Sequence, residues 1–253
     1  MEVCMMTKKL YYDDFFLAEC KADVVEKEEN RITLNQTVAF PEGGGQEGDR
    51  GVILLENICI PFSDTKKGVG RTLLLDDFPT IQVDTPVYHF VDEEKMAEIN
   101  VGDKVTVQID ISHRIKTTAL HSALHIVLMA AKEKFPERVA RIKGCSITDK
   151  YGRLDFFTTE KFVPEDIVWL NNRVNEIISQ NYPIESYQHP DEKEAWYWKC
   201  NDFICACGGT HLHCTGDAGV AHVKRKNVGK SMERLIVTLT DIRLTEDNYH
   251  GLD

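Results

Sequence analysis

No apolar run in the 253 residues approaches the roughly 18 to 20 that a membrane-spanning helix needs. The first residues, Met1 to Lys9, lack the basic-then-apolar order of a signal peptide. The expectation is a cytoplasmic protein with no membrane partner. There is no internal repeat and no low-complexity stretch, and 42% hydrophobic residues exclude a disordered tail. The disulfide spacing of a small secreted scaffold is missing too. Of eight Cys, Cys4, Cys20, Cys59 and Cys145 are scattered, while four crowd between Cys200 and Cys214, a clustering that suits metal binding better than cross-linking. Positive charge is scarce, with 30 Lys and Arg against 41 Asp and Glu. The deficit is uneven, since residues 1–100 hold 20 acidic and 10 basic side chains and residues 101–253 hold 21 and 20. An acidic total disfavours nonspecific nucleic-acid binding, but the second part can still present a basic face.

The patterning divides the chain in two. Residues 1–109 hold short runs of β-branched and aromatic residues: Leu10–Tyr12, Arg31–Leu34, Gly51–Leu55, Thr80–Val83, Pro86–Val91 and Lys104–Ile109. Gly, Asp and Asn punctuate them, which predicts a small antiparallel β-barrel-like domain. From His113 to about Lys134 the turn residues vanish and Ala, Leu, Ile and Met dominate until Pro136, as in a mostly buried helix. Residues 110–253 therefore read as an α+β domain. It has strands at 146–147, 153–157, 185–189, 219–223 and 234–243, and a second helix from Glu165 to about Gln180 introduced by Pro164.

Three stretches carry chemistry. In His121-Ser-Ala-Leu-His125 the four-residue spacing puts both imidazoles on one helix face, about 6 Å apart and able to share a metal. It is no HExxH protease site, because Ser122 leaves no glutamate base. In Cys207-Gly-Gly-Thr-His211 two glycines allow a tight turn that brings a thiolate and an imidazole to one point. Together these supply three nitrogen and one sulfur donors, a set zinc prefers, with Cys205, His213 and Cys214 as rival ligands. Third, Pro41-Glu-Gly-Gly-Gly-Gln46-Glu-Gly-Asp-Arg-Gly51 is a glycine-rich loop that can approach a ligand or another chain segment closely, and neither GxxxxGK[ST] nor GxGxxG is present in it.

In this order, the three stretches resemble the editing region of alanyl-tRNA synthetases and the freestanding alanyl-tRNA editing proteins called AlaX. The likeness rests on PEGGGQxGDRG, on Asp110 and Arg114 ahead of HxxxH, and on Lys143-Gly-Cys-Ser with Arg153-Leu-Asp-Phe. CGGTHxxxTGDxG, from Cys207 to Gly219, completes it. It runs from about residue 8 to 243. Ser122, Ala39 and Ile111 stand where the family usually has Thr, an aromatic residue and Trp.

The resemblance implies an α+β sandwich editing domain after the barrel and a Zn2+ cofactor held by His121, His125, Cys207 and His211. The activity it implies is trans-acting hydrolysis of the ester joining serine, possibly glycine, to alanine tRNA. His211 and Gln46 are the candidate catalytic residues. Gly44, Gly45, Gln46 and Asp155 are expected to bind substrate, and Tyr197 or Trp198 to stack on the terminal adenine. The basic run Lys224, Arg225, Lys226, Lys230 and Arg234 has only Asp217 and Glu233 as acids between 204 and 240, and is the expected RNA contact. Competing expectations are a noncatalytic RNA- or protein-binding module with a structural zinc, and another metal-dependent ester hydrolase.

Overall fold

The computed structural model describes residues 6–76 and 78–251, so Cys4 and most of the N-terminal stretch lie outside the described residues. The first half contributes β1 (Leu17–Glu28), β2 (Arg31–Leu34), β3 (Gly51–Leu55), β4 (Ile58–Lys67), β5 (Arg71–Leu75), β6 (Phe78–Val83), β7 (Val87–Val91) and β8 (Lys104–Ile109). Six of these close on themselves as an antiparallel barrel in the order β8-β3-β4-β7-β2-β1, with β1 pairing back to β8. Closure leaves no open edge in the ring. Its interior is filled by alternating residues such as Val105, Val107 and Ile109 of β8, which meet Ile32, Leu34, Ile53 and Ile60. Strands β5 and β6 form a separate hairpin, whose Leu73 and Val83 pack with Ala195. Leu10–Tyr12, expected as a strand, is one turn of 3-10 helix, because Leu10 O accepts from both Asp13 N and Asp14 N.

His89 of β7 sits fully inside the barrel, 2.9 Å from Thr37 Oγ1. Burial pulls its pKa down to about 4. An imidazole in the unfolded chain takes its proton near 6.5, so between these values the unfolded state binds more protons. Stability is therefore expected to fall as pH drops from about 6.5 towards 4, by on the order of 3 kcal/mol. His89→Gln should flatten that dependence in urea denaturation at pH 7 and pH 4.5, and equal pH slopes in the two proteins would refute it.

The second half is built on α1 (Ile111–Lys134), β9 (Ile142–Ile147), β10 (Gly152–Phe157), α2 (Pro164–Ser179), β11 (Glu185–His189), β12 (Glu192–Cys200), β13 (Phe203–Ala206), β14 (Val220–Asn227) and β15 (Met232–Thr240). Helix α1 starts where Asp110 accepts a hydrogen bond from His113 N and ends just before Pro136. Residues from every side of it are buried, as its lack of polar periodicity predicts. Both helices pack on one face of an antiparallel sheet ordered β9-β10-β15-β14. Strand β14 is an edge, and α2 covers it with two amides four residues apart. Asn171 exchanges both hydrogen bonds with the backbone of Val223 at 2.8 Å, and Asn175 does the same with Ala221 at 2.8 and 2.9 Å. Strands β11, β12 and β13 make a second, three-stranded sheet.

Two devices tie the halves together. The Arg114 guanidinium of α1, fully buried, pairs with Asp49 and also donates to Val38 O at 2.8 Å and Phe15 O at 3.0 Å, while Asp49 accepts from Phe40 N. The last described residues return to the barrel, where His250–Gly251 run parallel to the start of β1. Among the described residues no helix is long and apolar enough to cross a membrane.

Candidate functional site

Helix α1 delivers His121 and His125 from one face, their rings stacked with centroids 4.9 Å apart. The turn after β13 delivers Cys207 and His211. Gly209 makes the approach possible, since a Cβ there would come within 2.2 Å of His121 Cε1 and 2.8 Å of Gln46 Oε1. No other residue fits that position. The Nε2 atoms of His121, His125 and His211 each lie 3.3 Å from Cys207 Sγ. The four donor atoms are all within 4.8 Å of one another.

The far nitrogens explain the orientation. His121 Nδ1 donates to Gln46 Oε1 at 2.8 Å, an oxygen identified as such because it also accepts from Thr210 N at 3.1 Å. His211 Nδ1 is 3.4 Å from Ser186 Oγ, and His125 Nδ1 is 3.4 Å from Cys205 Sγ. Each imidazole is thus held by its Nδ1 and turns its Nε2 towards the sulfur, the pattern of metal-ligating histidines. Burial pulls His121 down to about 4 and, with help from the neighbouring imidazoles, keeps His125 and His211 well below the usual range. The same burial pushes the Cys207 thiol far up. A neutral thiol has one proton to give, whereas three nitrogen lone pairs face it. A cation at the centre resolves that conflict, and the nitrogen–sulfur edges are close to the roughly 3.5 Å of a tetrahedral zinc shell. The cluster therefore has the composition and geometry to hold a metal ion.

His121, His125 and Cys207 form part of the wall of a cavity of about 280 Å³. Its other walls include Gly43, Gly44, Lys67, Phe78 and Trp196. Trp196 stacks on Tyr12 with ring centroids 5.4 Å apart. Lys67 belongs to β4 of the barrel. Burial lowers its pKa, Lys9 adds to the effect, and the nearby Glu194 is engaged with Lys9 at 2.6 Å.

Several expected residues sit elsewhere. Gln46 does not face the cavity: it is fully buried behind His121, and its amide nitrogen is spent on Thr210 Oγ1 at 2.9 Å. His211 lies behind the other three donors and is not part of the cavity wall. Gly44 does line the cavity, whereas Gly45, at φ +86°, packs on Cys145 and joins the glycine-rich loop to β9. Asp155 meets none of the histidines and is paired with Arg153 and, at 2.5 Å, with Arg234. Trp198 is buried against His125 rather than open to a base. Of the basic run, Arg225 is bound to the buried Glu233 and Arg234 to Asp155, leaving Lys224, Lys226 and Lys230 exposed. Cys205 touches His125 at Nδ1, away from Cys207, His213 packs at a tilt on Phe16, and the backbone of Cys214 pairs with Pro183, so none of these rivals joins the four. Lys67, Trp196 and Ser186 have no local signal in the sequence. Ser122 uses its hydroxyl to accept from Leu212 N at 2.9 Å, a bond that fastens the Cys207–His211 turn to α1.

No family model matches the chain. It is 29% identical over 234 residues to the alanyl-tRNA editing protein AlaX-M of Pyrococcus horikoshii, spanning 91% of this chain and 96% of that one. The chain resembles the alanyl-tRNA editing proteins. Alanine–tRNA ligases share the likeness: that of Sulfurisphaera tokodaii is 30% identical and that of Saccharolobus islandicus 28%, each over 249 residues and 91% of this chain. The chain spans about a quarter of those ligases, at 25% and 26% of their length. The AlaX likeness, by contrast, runs nearly end to end in both proteins and takes in all four donors of the cluster.

Proposed function

We propose that this chain is a zinc-associated aminoacyl-tRNA deacylase that removes serine, and glycine, from alanine tRNA in trans. The observation that carries this reading is the convergence of three imidazoles and one thiol, with His121, His125 and Cys207 on the wall of a single cavity and His211 behind them, in a chain similar over 91% of its length to an alanyl-tRNA editing protein. Held by His121, His125, Cys207 and His211, zinc would supply a fixed positive charge near the ester, which favours the negative charge that develops on its carbonyl oxygen. An aminoacyl ester is already activated, so the remaining work is orientation and charge stabilisation. Gln46, Ser186 and Cys205 hold the imidazoles. Trp196 on Tyr12 offers a flat apolar wall for the terminal base, and Lys67 in the same cavity wall is placed to take the phosphate on the 5′ side of that nucleotide. Gly43 and Gly44 let the backbone come close to the small amino acid. His211 serves as a ligand and Gln46 as a positioning residue.

Incubating the metal-replete chain with seryl, glycyl and alanyl esters of alanine tRNA tests the reading. Fast release of serine, slower release of glycine and sparing of alanine are expected, with loss on chelation. Intact seryl and glycyl esters would refute it. Four protein donors also make a closed shell of the kind structural zinc sites have, which favours a noncatalytic RNA-binding module as the second reading; that module would bind the tRNA and leave every ester intact.

For the tRNA contact, the exposed Lys224, Lys226 and Lys230 are the phosphate ligands, because the two arginines of the run are already paired. Lys224→Gln with Lys226→Gln is expected to reduce the slope of log affinity against log salt by roughly 2. An unchanged slope would remove this surface from the proposal.

A further inference from the structure

A second group of metal-type donors lies outside the cavity, where the glycine-rich loop, the turn between β9 and β10 and the start of α1 meet. It consists of Glu47, His113 and Asp149, each offering one donor atom, all within 4.8 Å of one another. The imidazole is the fixed member. His113 is buried, with a side chain only 4% exposed, and its Nε2 donates to Gly48 O at 3.2 Å. That bond leaves the lone pair on Nδ1, which is buried and has no hydrogen-bond partner. The atom it confronts is itself an acceptor, Asp149 Oδ2 at 4.0 Å, and Glu47 Oε1 stands 3.7 Å from the other ring nitrogen.

A buried lone pair that faces one carboxylate, with a second carboxylate beside the other ring nitrogen, is a costly arrangement without a nearby positive charge. Arg50 is the nearest fixed cation. Its Nε is bound to Asp110 at 2.9 Å, and its Nη2 reaches Asp149 only at 3.8 Å, so Asp149 shares this guanidinium with Asp110. Burial, partly offset by a 2.7 Å hydrogen bond from Asp149 N and by His113, raises the Glu47 carboxyl above its ordinary value.

We propose that Glu47, His113 and Asp149 form a second divalent-cation site, built for a first-row transition ion such as Mn2+. One imidazole with two carboxylates suits such an ion, and the remaining positions are left for water. The two acids are partly exposed, at 35% and 21%, and can close on the ion while His113 stays in place. The site would pin Glu47, and with it the neighbouring Gln46 that orients His121, to the β9–β10 turn that already pairs with the loop through Glu47 N to Ile147 O at 3.0 Å. It is distinct from the His121 cluster in donors and in metal preference, and it stands whether or not that cluster hydrolyses esters.

The test uses the full chain carrying one equivalent of Zn2+, which a sulfur-containing donor set retains against Mn2+. Titration with Mn2+, followed by loss of the free-ion electron paramagnetic resonance signal, is expected to show uptake of one further ion, with a rise in melting temperature. Asp149→Asn and Glu47→Gln change partly exposed side chains and leave the core intact. Each should weaken Mn2+ uptake by at least about tenfold, the loss that disturbing even an outer partner of a metal site brings, while zinc content stays at one per chain. No Mn2+ uptake by the wild-type chain, or uptake unchanged in both variants, would overturn the proposal.

Discussion

On the proposed function, Cys207→Ala is expected to abolish metal binding by the His121 cluster and to slow hydrolysis of seryl esters by about a thousandfold, equivalent to roughly 4 kcal/mol of lost transition-state stabilisation. The sulfur is the common neighbour of all three Nε2 atoms at 3.3 Å, so its removal leaves three buried neutral imidazoles with no anion among them. Metal content by mass spectrometry and single-turnover deacylation read the two effects separately. A variant that keeps full activity without metal would end the mechanism. Gln46→Ala provides a graded comparison. It removes the acceptor for His121 Nδ1 and leaves the four donors, so affinity for the metal should fall by about 10- to 100-fold and activity should return when metal is added in excess. Cys207→Ala should not be rescued in that way.

The second large effect concerns stability. Arg114→Met is expected to destabilise the fold by about 3–5 kcal/mol, because it strands the Asp49 carboxylate, which is 1% exposed, without its cation. The Val38 and Phe15 carbonyls lose a donor at the same time. Urea denaturation measures this as a lower midpoint at similar slope. Adding Asp49→Leu should recover a good part of the loss, since two apolar side chains avoid the uncompensated charge. Recovery in the double variant would identify the buried charge, rather than the altered packing, as the source of the penalty. A single variant within 1 kcal/mol of wild type would mean that the pair contributes little to docking α1 on the barrel.

Local patterns carried much of the architecture. Alternation in Lys104–Ile109 and in Arg31–Leu34, and the turn-free run ending before Pro136, are backbone preferences written into a few adjacent residues, and the corresponding strands and helix are there. The misreadings share a different cause. Leu10–Tyr12 has strand-like residues but turns tightly, because Asp13 and Asp14 can return their N–H groups to Leu10 O. β1 is long and half polar along its length, and β4 carries Pro61, so neither has a clean period. Arg225 and Arg234 look like an open basic run in one dimension, but strand pairing brings Glu233 and Asp155 beside them.

The sequence by itself determined the kinds of donor available and the local shapes that present them. HxxxH is a single helix face and CGGTH is a turn only glycines permit, so His121 with His125, and Cys207 with His211, are paired by short-range geometry. Only the tertiary structure decided that the two pairs share one centre, that Gln46 stands behind His121 instead of facing the cavity, that Lys67 and Trp196 complete its walls, and that His113 meets Glu47 and Asp149. These contacts join residues tens to more than a hundred positions apart. They are set by how the barrel, α1 and the glycine-rich loop pack, and packing depends on the whole buried surface rather than on any motif within it.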